Sequence, residues 1–201
     1  MTKVFLVTQF FVATFVSKKL EVSVNFLQEV PLHFAQVATW HHQECERQGL
    51  QSTLAIRQQR LLLHVQSDLI PKTIILSIGK RLVGCVSLVN YTYRADTSVL
   101  IPNNSAPVWL SNLFVMESKR RQGFGNLLIE AAKKYVADVG ITELWLSAEE
   151  HTDFYKNRGW EIVRRTRLGG KQVNVMTIGL PKIKDIQMKD GMFGATATTA
   201  P

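Results

Sequence analysis

The apolar period of the chain changes abruptly near residue 116, and this change limits the possible folds more than any other feature. Residues 108–115 (VWLSNLFV) form a short apolar run bounded by Pro107 and a charged turn, the pattern of a central strand. From Phe124 onward the apolar positions become 124, 127, 128, 131, 132, 135, 136 and 139, a sustained helical stripe that stops at Gly140. Residues 143–148 (ELWLSA) then return to a strand pattern. A strand, a helix and a strand in this order make a crossover unit.

Shorter elements flank that unit. Alternating Val22, Val24 and Phe26 predict a strand, and Pro31 suits the first turn of a helix running to Arg47. Residues 73–78 and 82–91, interrupted by Gly79-Lys80-Arg81, read as a hairpin. Residues 150–158 read as a short helix. Trp160 to Arg167 and Gln172 to Leu180 form a last hairpin around Gly169-Gly170. The expected class is α/β (α+β), with a mixed, mostly antiparallel central sheet flanked by helices.

At 201 residues and 46% hydrophobic composition the chain can bury one sizeable core. Residues 1–19 read as an apolar N-terminal extension, 20–181 as the domain and 182–201 as a small, polar, flexible tail. The run at residues 4–16 is shorter than the ~20 residues a membrane span needs, and no small-residue cleavage site follows it. A membrane anchor is therefore disfavoured and a cytoplasmic location expected. Cys45 and Cys85 lack disulfide or zinc spacing. The net charge of +8 suits an anionic partner.

The turn between the strand and the long helix is Arg120-Arg121-Gln122-Gly123-Phe124-Gly125. Two glycines let the backbone approach a ligand closely, and the unpaired first amides of the helix face outward at its positive dipole end. Lys119, Arg120 and Arg121 reinforce the sign, so the turn has the chemistry of an anion cradle. It matches neither GxxxxGK[ST] nor GxGxxG followed by an acidic residue.

Arg120-x-x-Gly123-x-Gly125 after the strand Val108 to Val115, followed by the strand Glu143 to Ala148 and by Phe154-Tyr155-x-x-x-Gly159-Trp160, resembles the GNAT N-acetyltransferase superfamily over residues 20–181. The resemblance implies acetyl-CoA as acyl donor. Leu113, Phe114 and Val115 would line its pantetheine arm, and Arg120, Arg121, Gln122, Gly123, Phe124, Gly125 and Asn126 would clasp its pyrophosphate. It also implies Tyr155 as the acid that protonates the departing thiolate, a role open to a group with an ordinary pKa near ~10. Ala148 and His151 stand where many members carry Asn and Ala. The removed Asn takes with it one expected ligand contact.

Acetyl transfer to a primary amine of a small molecule or peptide, by direct attack in a ternary complex, is the reading these residues favour. The alternative is a non-catalytic acyl-CoA-binding sensor. Candidate bases are Asp96, Glu117, Glu149 and His151, the last one helical turn before Tyr155. His41, His42, Glu44 and Cys45 contain one metal-like i, i+4 pair, but no second pair matches it, and no metal is expected. Arg164, Arg165, Arg167 and Lys171 form a basic hairpin with no aromatic platform, so no nucleic-acid partner is expected. A homodimer is the commonest assembly for such domains.

Overall fold

The computed structural model describes residues 15–17, 20–92, 101–102 and 106–181. Asp96, most of the N-terminal extension and the tail from residue 182 lie outside them. Eight strands form one sheet in the order β1-β2-β3-β4-β7-β8-β10-β9. These are β1 (Phe15–Ser17), β2 (Leu20–Phe26), β3 (Lys72–Ile78), β4 (Arg81–Val89), β7 (Trp109–Val115), β8 (Glu143–Ala148), β9 (Glu161–Leu168) and β10 (Lys171–Gly179). The short strands β5 (Tyr91–Thr92) and β6 (Ile101–Pro102) pair separately. All neighbours in the main sheet are antiparallel except β7 and β8, which are parallel.

The helices are α1 (Phe34–Arg47), α2 (Leu54–Gln66), α3 (Phe124–Asp138) and α4 (Thr152–Lys156). α3 supplies the crossover, and its stripe buries Phe124, Leu128, Ile129, Ala132, Tyr135 and Val136. Alternate residues of β3 and β4 go to opposite layers. Ile74, Leu76, Val83, Val86 and Leu88 join the α3 core, whereas Ile75, Leu82 and Cys85 pack with Val37, Ala38, Trp40 and Leu61 of α1 and α2. Burial on both faces explains why these strands read as continuous apolar runs.

Three expectations change in detail. Pro31 opens a 3-10 turn (Pro31–His33), and the α-helix begins at Phe34. α2 was not anticipated: its Gln- and Arg-rich sequence hides the stripe, although Thr53 accepts from the Ile56 amide at 3.3 Å as an ordinary N-cap. α4 spans five residues rather than nine, because His151 before it takes a left-handed φ of 60°.

The α1/α2 layer contains polar groups that the sequence did not reveal. His64 Nδ1 lies 2.8 Å from Thr73 Oγ1, which lies 2.9 Å from Ser87 Oγ, which lies 3.4 Å from His41 Nε2. All four residues are buried. Burial holds both imidazoles down to a pKa of about 3, so they are neutral at physiological pH.

Candidate active site

The site begins where the sheet fails to close. β7 and β8 share one partner pair, Trp109 with Trp145, where the Trp145 amide donates to the Val108 carbonyl at 2.9 Å and the indoles pack 5.9 Å apart. Beyond that pair the two strands are not laddered. A β-bulge accompanies the separation: Asn112 and Leu113 together face Val86 of β4, and Asn112 adopts φ 52°.

Leu113 packs with the α3 core and Phe114 with the opposite one, its ring 4.5 Å from Trp40. Their side chains are therefore committed to the two cores. The Met116 amide donates to the Val83 carbonyl on β4 at 2.9 Å, so antiparallel alternation turns the backbone groups of Val115, and by the same period Leu113, toward the unladdered side. Backbone is what β7 offers a ligand there.

Next to this edge stands the N-terminus of α3. Arg121 has φ 60° and Gly123 φ 85°, two left-handed positions that fold the turn so that successive amides face outward. No side chain caps the helix. A Cβ at Gly123 would meet nothing within 4 Å, whereas one at Gly125 would lie 3.9 Å from Phe154 Cζ and 4.0 Å from Val115 Cγ2. Gly123 thus borders open space, and Gly125 fits between β7 and α4.

The other loop residues divide between cradle and scaffold. Arg120 donates from Nε to the Val115 carbonyl at 3.0 Å, and Gln122 from Nε2 to the Ser118 carbonyl at 3.4 Å. The Phe124 side chain is core, leaving only its amide for a ligand. The Asn126 side chain is held by Arg158, whose Nε donates to Asn126 Oδ1 at 2.7 Å and Nη1 to the Phe154 carbonyl at 2.6 Å, with the guanidinium 3.7 Å over the Phe154 ring. This fastens α4 to the first turn of α3.

Tyr155 follows Phe154 on the same short helix. The ring stands edge-on to Phe154 at 5.1 Å and to Trp160 at 6.0 Å. Burial, seconded by the Glu44 carboxylate and opposed by Arg158, pushes its phenol up to about 12. Glu44 comes from the end of α1, a neighbour the sequence separation concealed. Its Oε1 accepts from Arg47 Nη2 at 2.8 Å and from Gln48 Nε2 at 2.7 Å, and its Oε2 from Arg47 Nε at 3.0 Å. Burial raises the carboxyl, but these hydrogen bonds and the charges of Arg47 and Lys171 leave it below its ordinary value.

The candidate bases fare differently. Glu149 is ion-paired with Lys171 at 3.0 Å, and Glu117 is exposed in the turn after β7. His151 is the residue before α4 and not part of it: its backbone is left-handed at φ 60°, and its ring is exposed 3.8 Å from Glu150. Among the metal-like residues, His41 turns into the core toward Ser87, and Glu44 is engaged as described. Among the described residues no group of three His, Cys, Asp or Glu side chains could hold a metal ion, and no helix is long and apolar enough to cross a membrane. A hollow of about 560 Å³ lined by Leu69, Asn90, Val108, Ile141 and Trp145 lies where β7 and β8 are still joined, away from the cradle.

Residues 71–162 match the profile of the acetyltransferase (GNAT) domain family. No curated protein matches the sequence significantly. Among solved structures the chain is similar to an acetyltransferase of the GNAT family from Streptococcus pneumoniae (TM-score 0.57, 16% identity, 80% of this chain and 100% of that one). It is also similar to an aminoglycoside 6'-N-acetyltransferase complexed with coenzyme A (TM-score 0.58, 16% identity, 79% and 98%). A third is the ribosomal-protein-S18-alanine N-acetyltransferase from Escherichia coli (TM-score 0.53, 15% identity, 79% and 94%).

Proposed function

We propose, from the match of residues 71–162 to the acetyltransferase (GNAT) domain family, that the chain transfers an acetyl group from acetyl-CoA to a primary amine of a small molecule or peptide, by direct attack in a ternary complex. One observation carries the reading: the unladdered edges of β7 and β8 open beside the uncapped N-terminus of α3, to which Arg158 ties the segment that follows α4.

Each part has a chemical task. The outward amides of residues 121–126, at the positive end of α3 and flanked by Arg120 and Arg121, suit a pyrophosphate without any side-chain ligand. The open space beside Gly123 supports the reading, since a side chain there would stand next to the outward amides. The edge of β7 supplies amides and carbonyls in the spacing a strand would use, matching the two amides of a pantetheine arm. The crystal of a similar enzyme with coenzyme A supports this donor.

Tyr155 keeps its proton throughout the neutral range, because its phenol titrates near 12. Its first contribution is a hydrogen bond to the departing sulfur. Complete proton transfer to a thiolate, whose own pKa is near ~8.5, is uphill in the resting site and requires the transition state to draw the proton across. The attacking amine arrives as an ammonium and must lose one proton. Glu44, held by Arg47, and Glu149, paired with Lys171, are the carboxylates to which water would relay that proton.

The test is calorimetric titration of the full chain with acetyl-CoA, followed by assay of thiol release with a panel of amines. Micromolar binding with amine-dependent thiol release is expected. Binding without release from any amine would favour an acyl-CoA sensor, and absence of binding by folded protein would refute both.

A further inference from the structure

The hollow at the joined ends of β7 and β8 contains a buried polar group with nothing to bind. Asn90, just after β4, lines it and is only 4% exposed, yet its Oδ1 has no hydrogen-bond partner among the described residues. Buried carboxamides are ordinarily satisfied, because losing water without gaining a partner is costly. An acceptor left open in the wall of a cavity suits a donor that comes from outside the chain.

The walls around Asn90 are fixed by the fold. The Tyr135 hydroxyl donates to the Leu69 carbonyl at 2.7 Å, the Trp145 amide to Val108 at 2.9 Å, the Ile141 amide to Val136 at 2.9 Å and the Leu180 amide to Thr142 at 2.8 Å. A preformed cavity of about 560 Å³ is within the range of small-molecule sites. Leu69, Val108, Ile141 and the Trp145 indole make most of it apolar. Glu143 is the one charged residue in its lining, and Trp145 Nε1 donates to the Glu143 carboxylate at 2.9 Å. In a chain of net charge +8 this is a local reversal of sign, opposite to that of the turn before α3.

We propose that this hollow is a second ligand site, for a small amine whose apolar, aromatic body carries a hydroxyl or N–H group. That group donates to Asn90 Oδ1, and the body packs on Leu69, Val108 and Ile141. The ammonium is held by the Glu143 carboxylate and the Trp145 ring, each of which attracts a cation. The site is separate from the cradle: β7 advances by roughly 20 Å between Val108 and Val115, and none of residues 113–126 lines the hollow. It therefore stands or falls independently of the acetyltransferase reading.

The test is an NMR titration of the full chain with two probes. N,N-dimethyltyramine carries the hydroxyl, and its tertiary nitrogen cannot form an acetamide; N,N-dimethylphenethylamine lacks only the hydroxyl. The first should bind saturably with a Kd of about 1 mM or below, shifting the amides of residues 139–143 and the Trp145 indole N–H while those of 121–126 stay in place. The second should bind about tenfold more weakly. Asn90→Leu should abolish that difference, and Glu143→Gln, which keeps an acceptor for Trp145, should weaken both probes about fivefold. Saturating acetyl-CoA should alter the probe affinities by less than about threefold. Shifts centred on 121–126, no saturation by about 10 mM, or affinities unmoved by Glu143→Gln would overturn the site. So would equal affinity of the two probes, which would assign Asn90 to an ordered water. If Asn90→Leu does not fold, the probe pair on the wild type and Glu143→Gln still decide.

Discussion

Gly123, before α3, has φ 85° and open space where a side chain would stand, whereas Gly169, in the β9–β10 turn, has φ 56° and a backbone oxygen 2.5 Å from the corresponding point. In sequence both are glycines in polar, basic turns. At Gly123 a side chain would meet no other atom of the protein within 4 Å. Gly169 lets two parts of the chain touch. A glycine turn therefore announces a left-handed backbone, and the elements packed around it decide whether the space belongs to a ligand or to the protein.

The sharpest way to break this contrast is the same substitution at both places. Gly123→Glu puts a carboxylate into the proposed pyrophosphate cradle, and like-charge juxtaposition costs several kcal/mol, so acetyl-CoA affinity should fall about a thousandfold in calorimetry. Gly169→Glu should lower the melting temperature more than Gly123→Glu does and leave acetyl-CoA affinity within about threefold. Equal losses of affinity at both sites would erase the distinction.

The two helical layers continue the comparison. The α3 core is built of hydrophobic side chains with Lys72 at its edge over Phe26, and the α1/α2 side holds neutral His41 and His64. Each has a folded-state pKa near 3, below its unfolded value of 6.5, so the unfolded chain binds more protons at acid pH. Stability is therefore full above pH 6.5 and declines as pH falls from 6.5 toward 3, with a slope approaching ~1.4 kcal/mol per pH unit for each histidine. By pH 5 the loss should amount to about 2–4 kcal/mol in denaturant titrations. His41→Gln should reduce the slope by about half, and an unchanged slope would show that the imidazoles do not govern acid sensitivity.

The layers also differ in how readily they are read from sequence. The α3 side was legible because one local rule per element suffices: a helical stripe from 124 to 139, an apolar strand before it, a glycine turn between. The α1/α2 side was not, since its polar groups are satisfied by residues far away in the chain, as when His64 meets Thr73 and Ser87 meets His41. Tyr155 and the loop were legible from motif spacing. The approach of Glu44 to Tyr155 and the reversal of His151 depend on packing and on one left-handed residue that no period encodes.

Tyr155→Phe sharpens the comparison at the junction between the layers. Removing the hydroxyl should lower kcat about 100-fold, the low end for a general acid, because a phenol near 12 donates a hydrogen bond more readily than a whole proton. KM for acetyl-CoA should change little, since the ring packing is retained. A loss confined to KM would make Tyr155 a binding residue.

The smallest expected effect lies at Asn126, where the cradle and the scaffold share one residue. Its side chain is committed to Arg158 and only its amide faces the cradle side. If backbone alone holds the pyrophosphate, Asn126→Ala should weaken acetyl-CoA binding by less than about threefold while lowering stability by ~1 kcal/mol through the lost charge-assisted hydrogen bond. Arg158→Met should produce a similar stability loss and, by loosening α4, a larger fall in kcat than in affinity. Should Asn126→Ala instead weaken binding tenfold or more with stability intact, the carboxamide would have to leave Arg158 for the ligand. The first turn of α3 would then be a side-chain site as well as a backbone one, and Gly123 would no longer suffice to explain it.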